Sequence, residues 1–97
     1  MRVISPKLLR RFWTAHPDSR RPLAAWLKVT RAADWNSFAD LKRTIGGRVD
    51  RYNQFFIFDI GGNKYRLIAA IHFNTGVVFV RHVLTHTEYD LDKWKES

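Results

Sequence analysis

Apolar side chains recur at helical spacing in the first third of the chain, and a proline divides this stretch into two segments. Ser5-Pro6 is typical of a helix start, and Pro17 ends the first segment because the residue before a proline avoids helical backbone. Ser19 is the predicted cap of a second helix, with Pro22 in its first turn. The apolar stripe of the first helix comprises Leu8, Leu9, Phe12, Trp13 and Ala15. The stripe of the second comprises Leu23, Trp26, Leu27 and Thr30. Their short connection predicts an antiparallel helical hairpin.

The pattern changes in the second half of the chain. A repeat from Trp35 to Ile45 predicts a short third helical segment, which Gly46-Gly47 ends. The segments that follow are short and rich in aromatic and β-branched residues, so we predict strands over residues 48–52, 54–60, 64–73 and 77–84. Two turn signals, Gly61-Gly62-Asn63 and Asn74-Thr75-Gly76, connect the last three strands into an antiparallel meander. The chain is therefore predicted to form one α+β domain over residues 1–97, with a helical hairpin packed on a mostly antiparallel sheet of three to four strands.

Alternation along the strand predicted over residues 64–73 separates an apolar from a polar side. The more apolar side, which we expect to face the helices, comprises Tyr65, Leu67, Ala69, Ile71 and Phe73. Arg66 and His72 then point to the opposite, partly open face. The faces of the last strand stay ambiguous, because Arg81 and His82 lie on opposite sides and a β-bulge would change the assignment.

Charge indicates the kind of partner. The 97 residues carry 17 Lys and Arg against 9 Asp and Glu, a formal net charge of +8. A small domain this basic usually binds a polyanion, although an acidic protein partner would also fit. Residues 1–50 hold 11 of the 17 cations, so the general electrostatic footprint is expected in the N-terminal half. The cations of the second half lie among strand residues, where specific roles are more plausible.

Several classes of chemistry are disfavoured. The absence of cysteine excludes disulfides and thiolate metal sites and makes the cytoplasm the expected compartment. Neither a signal peptide nor a membrane span is predicted. The four histidines show no metal-ligand spacing, so neither a metal nor a cofactor is expected. Gly61-Gly62-Asn63-Lys64 lacks the glycine spacing and following helix of a phosphate-binding loop, and no nucleophile elbow is present.

The candidate chemistry lies after the last predicted strand, where residues 85–90 read Thr-His-Thr-Glu-Tyr-Asp. With Arg66 and Arg81 nearby on the sheet, this segment suits phosphodiester cleavage. Metal-free RNA cleavage needs a base for the 2′-hydroxyl, a cation for the phosphate charge and an acid for the leaving 5′-oxygen. His86 suits the base or the acid, since imidazole titrates near neutral pH, and the arginine fork matches two phosphate oxygens.

Structural roles for the same residues stay open on the sequence. Arg66 could pair with Asp59, and Arg81 could pair with Glu88 or Asp90. His86 could bond a backbone carbonyl, and Tyr89 could be a core residue. The remaining histidines suit structural positions, at a helix end or within the sheet: His16, His72 and His82.

Two stretches resemble the HigB family of mRNA interferase toxins. One runs from Phe58 to Ala69 and contains Gly-Gly-Asn-x-x-Arg, and the other runs from Val80 to Asp90 and contains Thr-His-x-Glu-Tyr-Asp. The resemblance implies a RelE-like fold and endoribonuclease action on mRNA, commonly on the translating ribosome. It also implies inhibition by a HigA-type antitoxin with a helix-turn-helix domain. Carried over to this chain, the site residues are Arg66, Arg81, His86 and Tyr89. Lys64 is the only lysine near them and is expected to bind RNA.

These observations combine into one hypothesis. Arg66 and Arg81 hold one scissile phosphate on the open face, His86 transfers a proton, and Tyr89 stacks on or hydrogen-bonds the target nucleotide. Cations on the helices dock on ribosomal RNA: Arg10, Arg11, Arg20 and Arg21. Two other classes compete, a RelE-fold toxin that poisons DNA gyrase without cleaving RNA, and a plain RNA-binding module.

Overall fold

The computed structural model describes residues 1–96, which form four α-helices and five strands linked by short 3-10 turns. In chain order the elements are β1 (Arg2–Ile4), α1 (Pro6–Ala15), α2 (Arg20–Ala32), α3 (Phe38–Ile45), β2 (Val49–Tyr52), β3 (Phe55–Ile60), β4 (Tyr65–His72), β5 (Val77–Thr85) and α4 (His86–Asp90). The α+β class and the connected helix pair at the N-terminus agree with the sequence prediction. Across residues 1–96 no helix has the length and apolar character that crossing a membrane requires.

The sheet has the strand order β1-β5-β4-β3-β2, with one strand more than the three to four predicted. Strands β2 to β5 form the predicted antiparallel ladder, whereas β1 pairs with β5 in parallel through the register Val3 opposite Val78. The prediction missed β1 because three residues before a helix cap are too few to show a period. A strand this short is defined by its pairing partner instead of by its own pattern.

The helices cover one face of the sheet, as predicted. The buried residues of α2 are those of its predicted stripe: Leu23, Trp26, Leu27 and Thr30. They pack with the predicted inner side of β4, of which Tyr65, Leu67, Ala69 and Ile71 are buried. Ser19 does precede α2 as predicted, but its hydroxyl donates to the carbonyl of His16 at 2.7 Å, so it closes the 3-10 turn at Pro17–Ser19 instead of capping the helix.

A β-bulge in β5 resolves the ambiguous faces of that strand. Val80 pairs with Ala69 and His82 pairs with Ile68, so Arg81 is an extra residue between two ladder positions. The bulge leaves Val80 and Val83 in the helix-covered core and places His82 and Leu84 on the opposite face.

The opposite face is partly covered by the end of the chain. Trp94 is buried there against Phe55, Ile57 and Ile68, with Leu84 and Tyr89 at the edge of the cluster. Thr85 starts α4 with a capping box, in which its hydroxyl accepts from the backbone N–H of Glu88 and the Glu88 carboxylate accepts from the backbone N–H of Thr85. The Thr-x-x-Glu spacing is a known helix-start signal. The sequence therefore contained a signal for this short helix, which we did not predict.

A polar contact fixes the β3–β4 turn to the connection between α1 and α2. The Tyr65 hydroxyl donates to Asp18 Oδ1 at 2.6 Å, and Lys64 Nζ lies 3.2 Å from Asp18 Oδ2. The hydrogen bond from Tyr65 and then that from Lys64 hold the pKa of Asp18 below its ordinary value. This contact restrains the turn that leads into β4, and it engages Lys64 away from the open face.

Tyr65→Phe should raise the pKa of Asp18 towards its ordinary value, because the largest stabiliser of the carboxylate is removed. A carboxyl group with a lowered pKa in the folded state adds stability above its unfolded pKa, and this stability is lost as pH falls through the folded pKa. The variant should therefore be less stable than the wild type at pH 7 but not at the acidic end of the titration. Carboxyl ¹³C titration and urea unfolding measure the two effects. Tyr52→Phe, which alters an exposed tyrosine of β2, is the control and should change neither.

Candidate active site

Arg66 lies on β4, directly opposite Asp59 of β3, and its guanidinium is held by protein groups. Its Nε lies 3.1 Å from Asp59 Oδ1, and Nη1 donates to the carbonyls of Asn63 and Tyr65, each at 3.1 Å. Nη2 donates to Asn63 Oδ1 at 2.6 Å. Arg66 is only 8% exposed. The cation is thus committed mainly to the fold, in the Asp59 pairing that the sequence left open.

The turn that supplies these partners depends on two glycines. Gly61 and Gly62 have φ values of +62° and +69°, a region that other residues rarely adopt. The consecutive left-handed positions turn the chain sharply, so that both the carbonyl and the side chain of Asn63 meet the Arg66 guanidinium three residues later. The Gly-Gly-Asn-x-x-Arg motif is therefore a local unit: the turn positions the acceptors for the arginine, and the arginine holds the turn in place.

Tyr89 of α4 brings the end of the chain onto this unit. Its ring centre lies 5.2 Å from Arg66 Cζ, and it stacks on Trp94 with a centroid distance of 5.3 Å and an interplanar angle of 9°. The Trp94 indole donates to the Tyr89 carbonyl at 3.0 Å. Burial raises the pKa of Tyr89, against the opposing effect of the Arg66 charge, so the phenol keeps its proton at neutral pH.

His86 is the first residue of α4, and its backbone N–H donates to the carbonyl of Lys64 at 3.2 Å. Its Nδ1 lies 2.9 Å from Asp90 Oδ2, one helical turn further on. Because a carboxylate only accepts hydrogen bonds, this contact places a proton on Nδ1 and leaves Nε2 of the neutral ring with a lone pair. The side chain is 48% exposed, so the imidazole is accessible to a large substrate.

Arg81 stands apart from the other predicted site residues. It is exposed at the bulge of β5, three residues before Leu84, which is the partner of Arg66 across the ladder. Because Arg81 is the extra residue between the ladder positions of Ala69 and Ile68, this separation is between two and three strand steps, about 8 Å along β5. Arg66 and Tyr89 therefore contact each other directly, and His86 lies at the first turn of α4. Arg81 lies further away, on β5. The carboxylates suggested as its partners are engaged elsewhere, since Glu88 caps α4 and Asp90 contacts His86.

Asp90 and Trp94 are site residues that the sequence analysis did not assign. The spacing of His86 and Asp90 would have shown their contact if residues 86–90 had been interpreted as a helix. Trp94 carried no such local signal, because its position depends on packing against the sheet.

The cations predicted to bind RNA lie outside this cluster. Lys64 is in the β3–β4 turn, where it pairs with Asp18. The other four are exposed on α1 and α2, and within residues 1–96 none of these four has an acidic partner within ion-pair distance: Arg10, Arg11, Arg20 and Arg21. In the same part of the chain no three acidic or histidine side chains converge in a group that could hold a metal ion.

The profile of one protein family matches this chain over residues 19–92, and that family is described as HigB_toxin, the RelE-like toxic component of a toxin-antitoxin system. A match of this extent defines the class as RelE-like toxins and accounts for the helix-covered sheet described above. The chain belongs to the HigB toxin family and is thus the toxin of a toxin–antitoxin pair, with an antitoxin as partner. The resemblance predicted from the two motifs is confirmed.

Individual relatives match nearly the whole chain. The mRNA interferase HigB of Escherichia coli O6:H1 is 29% identical over 93 residues, which cover 93% of this chain and 89% of the relative. The mRNA interferase toxin HigB of Escherichia coli K12 is 27% identical over 93 residues, with 93% and 88% covered. The mRNA interferase HigB of Shigella flexneri matches to the same extent.

Arg66→Ala and Arg81→Ala should differ sharply in stability. Removing Arg66 leaves Asp59 without its cation and frees the turn at Asn63, which should lower the free energy of unfolding by about 2–3 kcal/mol. Arg81 is exposed and makes no such contacts within residues 1–96, so its loss should cost less than about 0.5 kcal/mol. Urea unfolding of the two variants tests this. Equal effects would show that the Arg66 guanidinium does not hold the site together.

Proposed function

We propose that this toxin is a metal-free endoribonuclease that cleaves mRNA on the translating ribosome. The observation that carries the proposal is the His86–Asp90 contact at an exposed position beside the Arg66–Tyr89 pair. Such a contact supplies an oriented proton acceptor where a nucleic acid strand can reach it. The names of the relatives, mRNA interferases, support the same reaction class.

In the proposed reaction His86 is the general base. Its Nε2 accepts the proton of the 2′-hydroxyl, and the 2′-oxygen forms a bond to the adjacent phosphorus. The P–O5′ bond breaks, which gives a 2′,3′-cyclic phosphate and a 5′-hydroxyl. Asp90 holds the ring in the tautomer that leaves Nε2 unprotonated and stabilises the imidazolium that forms.

Tyr89 is proposed to act at the leaving group. Because its ring contacts Arg66 and Trp94, its hydroxyl is the better placed group for contact with RNA. The raised pKa keeps that hydroxyl protonated, so it can transfer its proton to the 5′-oxygen as the P–O5′ bond breaks. Arg66 supplies the positive field beneath this step, and its remaining Nη2 N–H is the group it can offer to a phosphate oxygen.

Arg81 is proposed to bind a neighbouring phosphate of the same strand. Its exposed position about 8 Å along β5 from the Arg66 row suits a flanking phosphate better than the scissile one. The cations of α1 and α2 would then dock on ribosomal RNA. The antitoxin implied by the family is proposed to be of the HigA type, with a helix-turn-helix domain.

His86→Ala should lower the rate of RNA cleavage by at least about 100-fold, because general base catalysis contributes that much or more. His72→Ala is the matched control, since it removes an exposed histidine on the same sheet face at the far end of β4, and its rate should change less than about threefold. The measurement is the mapping of mRNA 5′ ends after brief expression, with purified protein on ribosome-bound and naked mRNA in parallel.

The same experiment separates the competing classes. Intact mRNA together with DNA damage would indicate a gyrase poison, and bound but uncut RNA would indicate a binding module. Full cleavage by a folded His86→Ala protein would contradict the role of the imidazole. Cut ends that carry a 5′-phosphate would contradict attack by the 2′-oxygen.

Asp90→Asn should slow cleavage by at least about tenfold while the protein stays folded, because an amide can donate to Nδ1 and so favour the wrong tautomer. The change should appear in the rate at saturating RNA and not in the Kd for RNA, since Asp90 acts through His86. Asp92→Asn, which alters the acidic partner of Lys95 outside the site, is the control. A normal rate for Asp90→Asn would exclude the orienting role.

A further inference from the structure

A recess lies on the same sheet face as the proposed active site, between β5 and the end of the chain. It has a volume of about 330 Å³ and is lined by His82, Leu84, Glu88, Leu91, Lys93 and Trp94. The sheet register fixes its position, because His82 lies opposite Ile68 and Leu84 lies opposite Arg66. We call this recess the β5 pocket.

The lining of the β5 pocket suits a small, partly polar organic group. Leu84, Leu91 and Trp94 form apolar walls, and His82, Glu88 and Lys93 contribute polar atoms. Pockets for small organic groups combine mainly apolar walls with a few polar groups, and this volume lies at the lower end of their usual range. Leu91 is 60% exposed, although its side chain is large and apolar.

The position of the pocket connects the two separated parts of the site. Arg81 lies directly before His82 at one end, and His86 lies two residues after Leu84 at the other. A strand of RNA that places phosphates at Arg81 and at His86 would therefore cross the β5 pocket. This juxtaposition explains how side chains spread along β5 can serve one substrate.

We propose that the β5 pocket binds one nucleobase of the substrate RNA, next to the scissile phosphate. The inference rests on the proposed function for the identity of the RNA strand, and on the pocket lining for the base. Contact with the faces of a base is largely independent of sequence, because every base has an aromatic face. The pocket therefore fixes the register of the strand on β5.

The state of His82 agrees with this role. Burial, and then the neighbouring Arg81 charge, lower the pKa of His82, so its ring is neutral at pH 7. A neutral imidazole beside Trp94 can pack against a base without bringing a further charge into the pocket. The neighbouring Arg81 is exposed, so its charge is available to a phosphate.

The test is the binding of fluorescein-labelled 2′-O-methyl uridine hexamers, which cannot be cleaved because the 2′-oxygen carries no proton. In six further hexamers, one nucleotide at a time is made abasic. The wild type should lose about tenfold in affinity at one position, since the loss of a stacked base costs that much. Abasic substitution elsewhere should change the Kd less than twofold.

Leu91→Ala should raise the Kd for the intact hexamer about threefold and reduce the abasic penalty by the same factor, because it removes one wall of the pocket. Val29→Ala is the matched control, since it shortens an exposed apolar residue on α2, away from the sheet face that holds the pocket. Both variants should unfold at the same urea concentration as the wild type within the usual range for surface changes.

The outcomes separate the pocket from the nuclease. Binding with no position-specific abasic penalty, or no binding, overturns the β5 pocket even when mRNA is cleaved. An equal penalty in Leu91→Ala and Val29→Ala overturns it as well. A penalty that depends on Leu91 in a protein that never cuts RNA supports the pocket and refutes the nuclease.

Discussion

Removing the Arg66 guanidinium from water is the constraint on which the proposed site depends. A cation that is 8% exposed must replace its hydration with protein partners. Asp59 neutralises it from the neighbouring strand, Asn63 supplies two oxygens from the turn, and the Tyr89 ring covers it from α4. One charge thereby fixes the relative positions of a strand, a turn and the end of the chain. The same contact positions His86 and Asp90, because they lie on α4 together with Tyr89.

This arrangement divides the work between buried and exposed groups. Arg66 is rigid and already hydrogen-bonded, so it can polarise and position but has little capacity to bind. His86 and Arg81 are exposed and can meet a strand of RNA. The bulge in β5 allows the exposed position of Arg81. As the extra residue, Arg81 leaves the ladder, while Val80 and Val83 stay in the core. A large substrate needs no deep cleft, and groups along one strand can follow its backbone.

Much of the fold could be predicted from the sequence, because it depends on interactions between neighbouring residues. The stripe of α2 and the Gly61-Gly62 turn were predictable, because helical period and left-handed glycine are properties of neighbouring residues. The open-face position of Arg66 followed from strand alternation, but its partner did not. Choosing Asp59 for Arg66, and Asp18 for Lys64, requires knowing which segments meet in space. The strand at residues 2–4 and the place of Trp94 were missed for the same reason, since both are defined by long-range packing.

Salt should act differently on the exposed helix cations and on the Arg66–Asp59 ion pair. The cations of α1 and α2 are exposed and lack acidic partners within residues 1–96, so their attraction to a polyanion is screened as ionic strength rises. The Arg66–Asp59 pair is largely withdrawn from solvent and is screened much less. In the proposed function, encounter with RNA would depend on charges that salt weakens, whereas the geometry that would cleave it depends on a charge that salt scarcely reaches. Arginine thus has two separate roles in this molecule: exposed arginines form a basic surface, and the buried Arg66 holds the geometry of the proposed site.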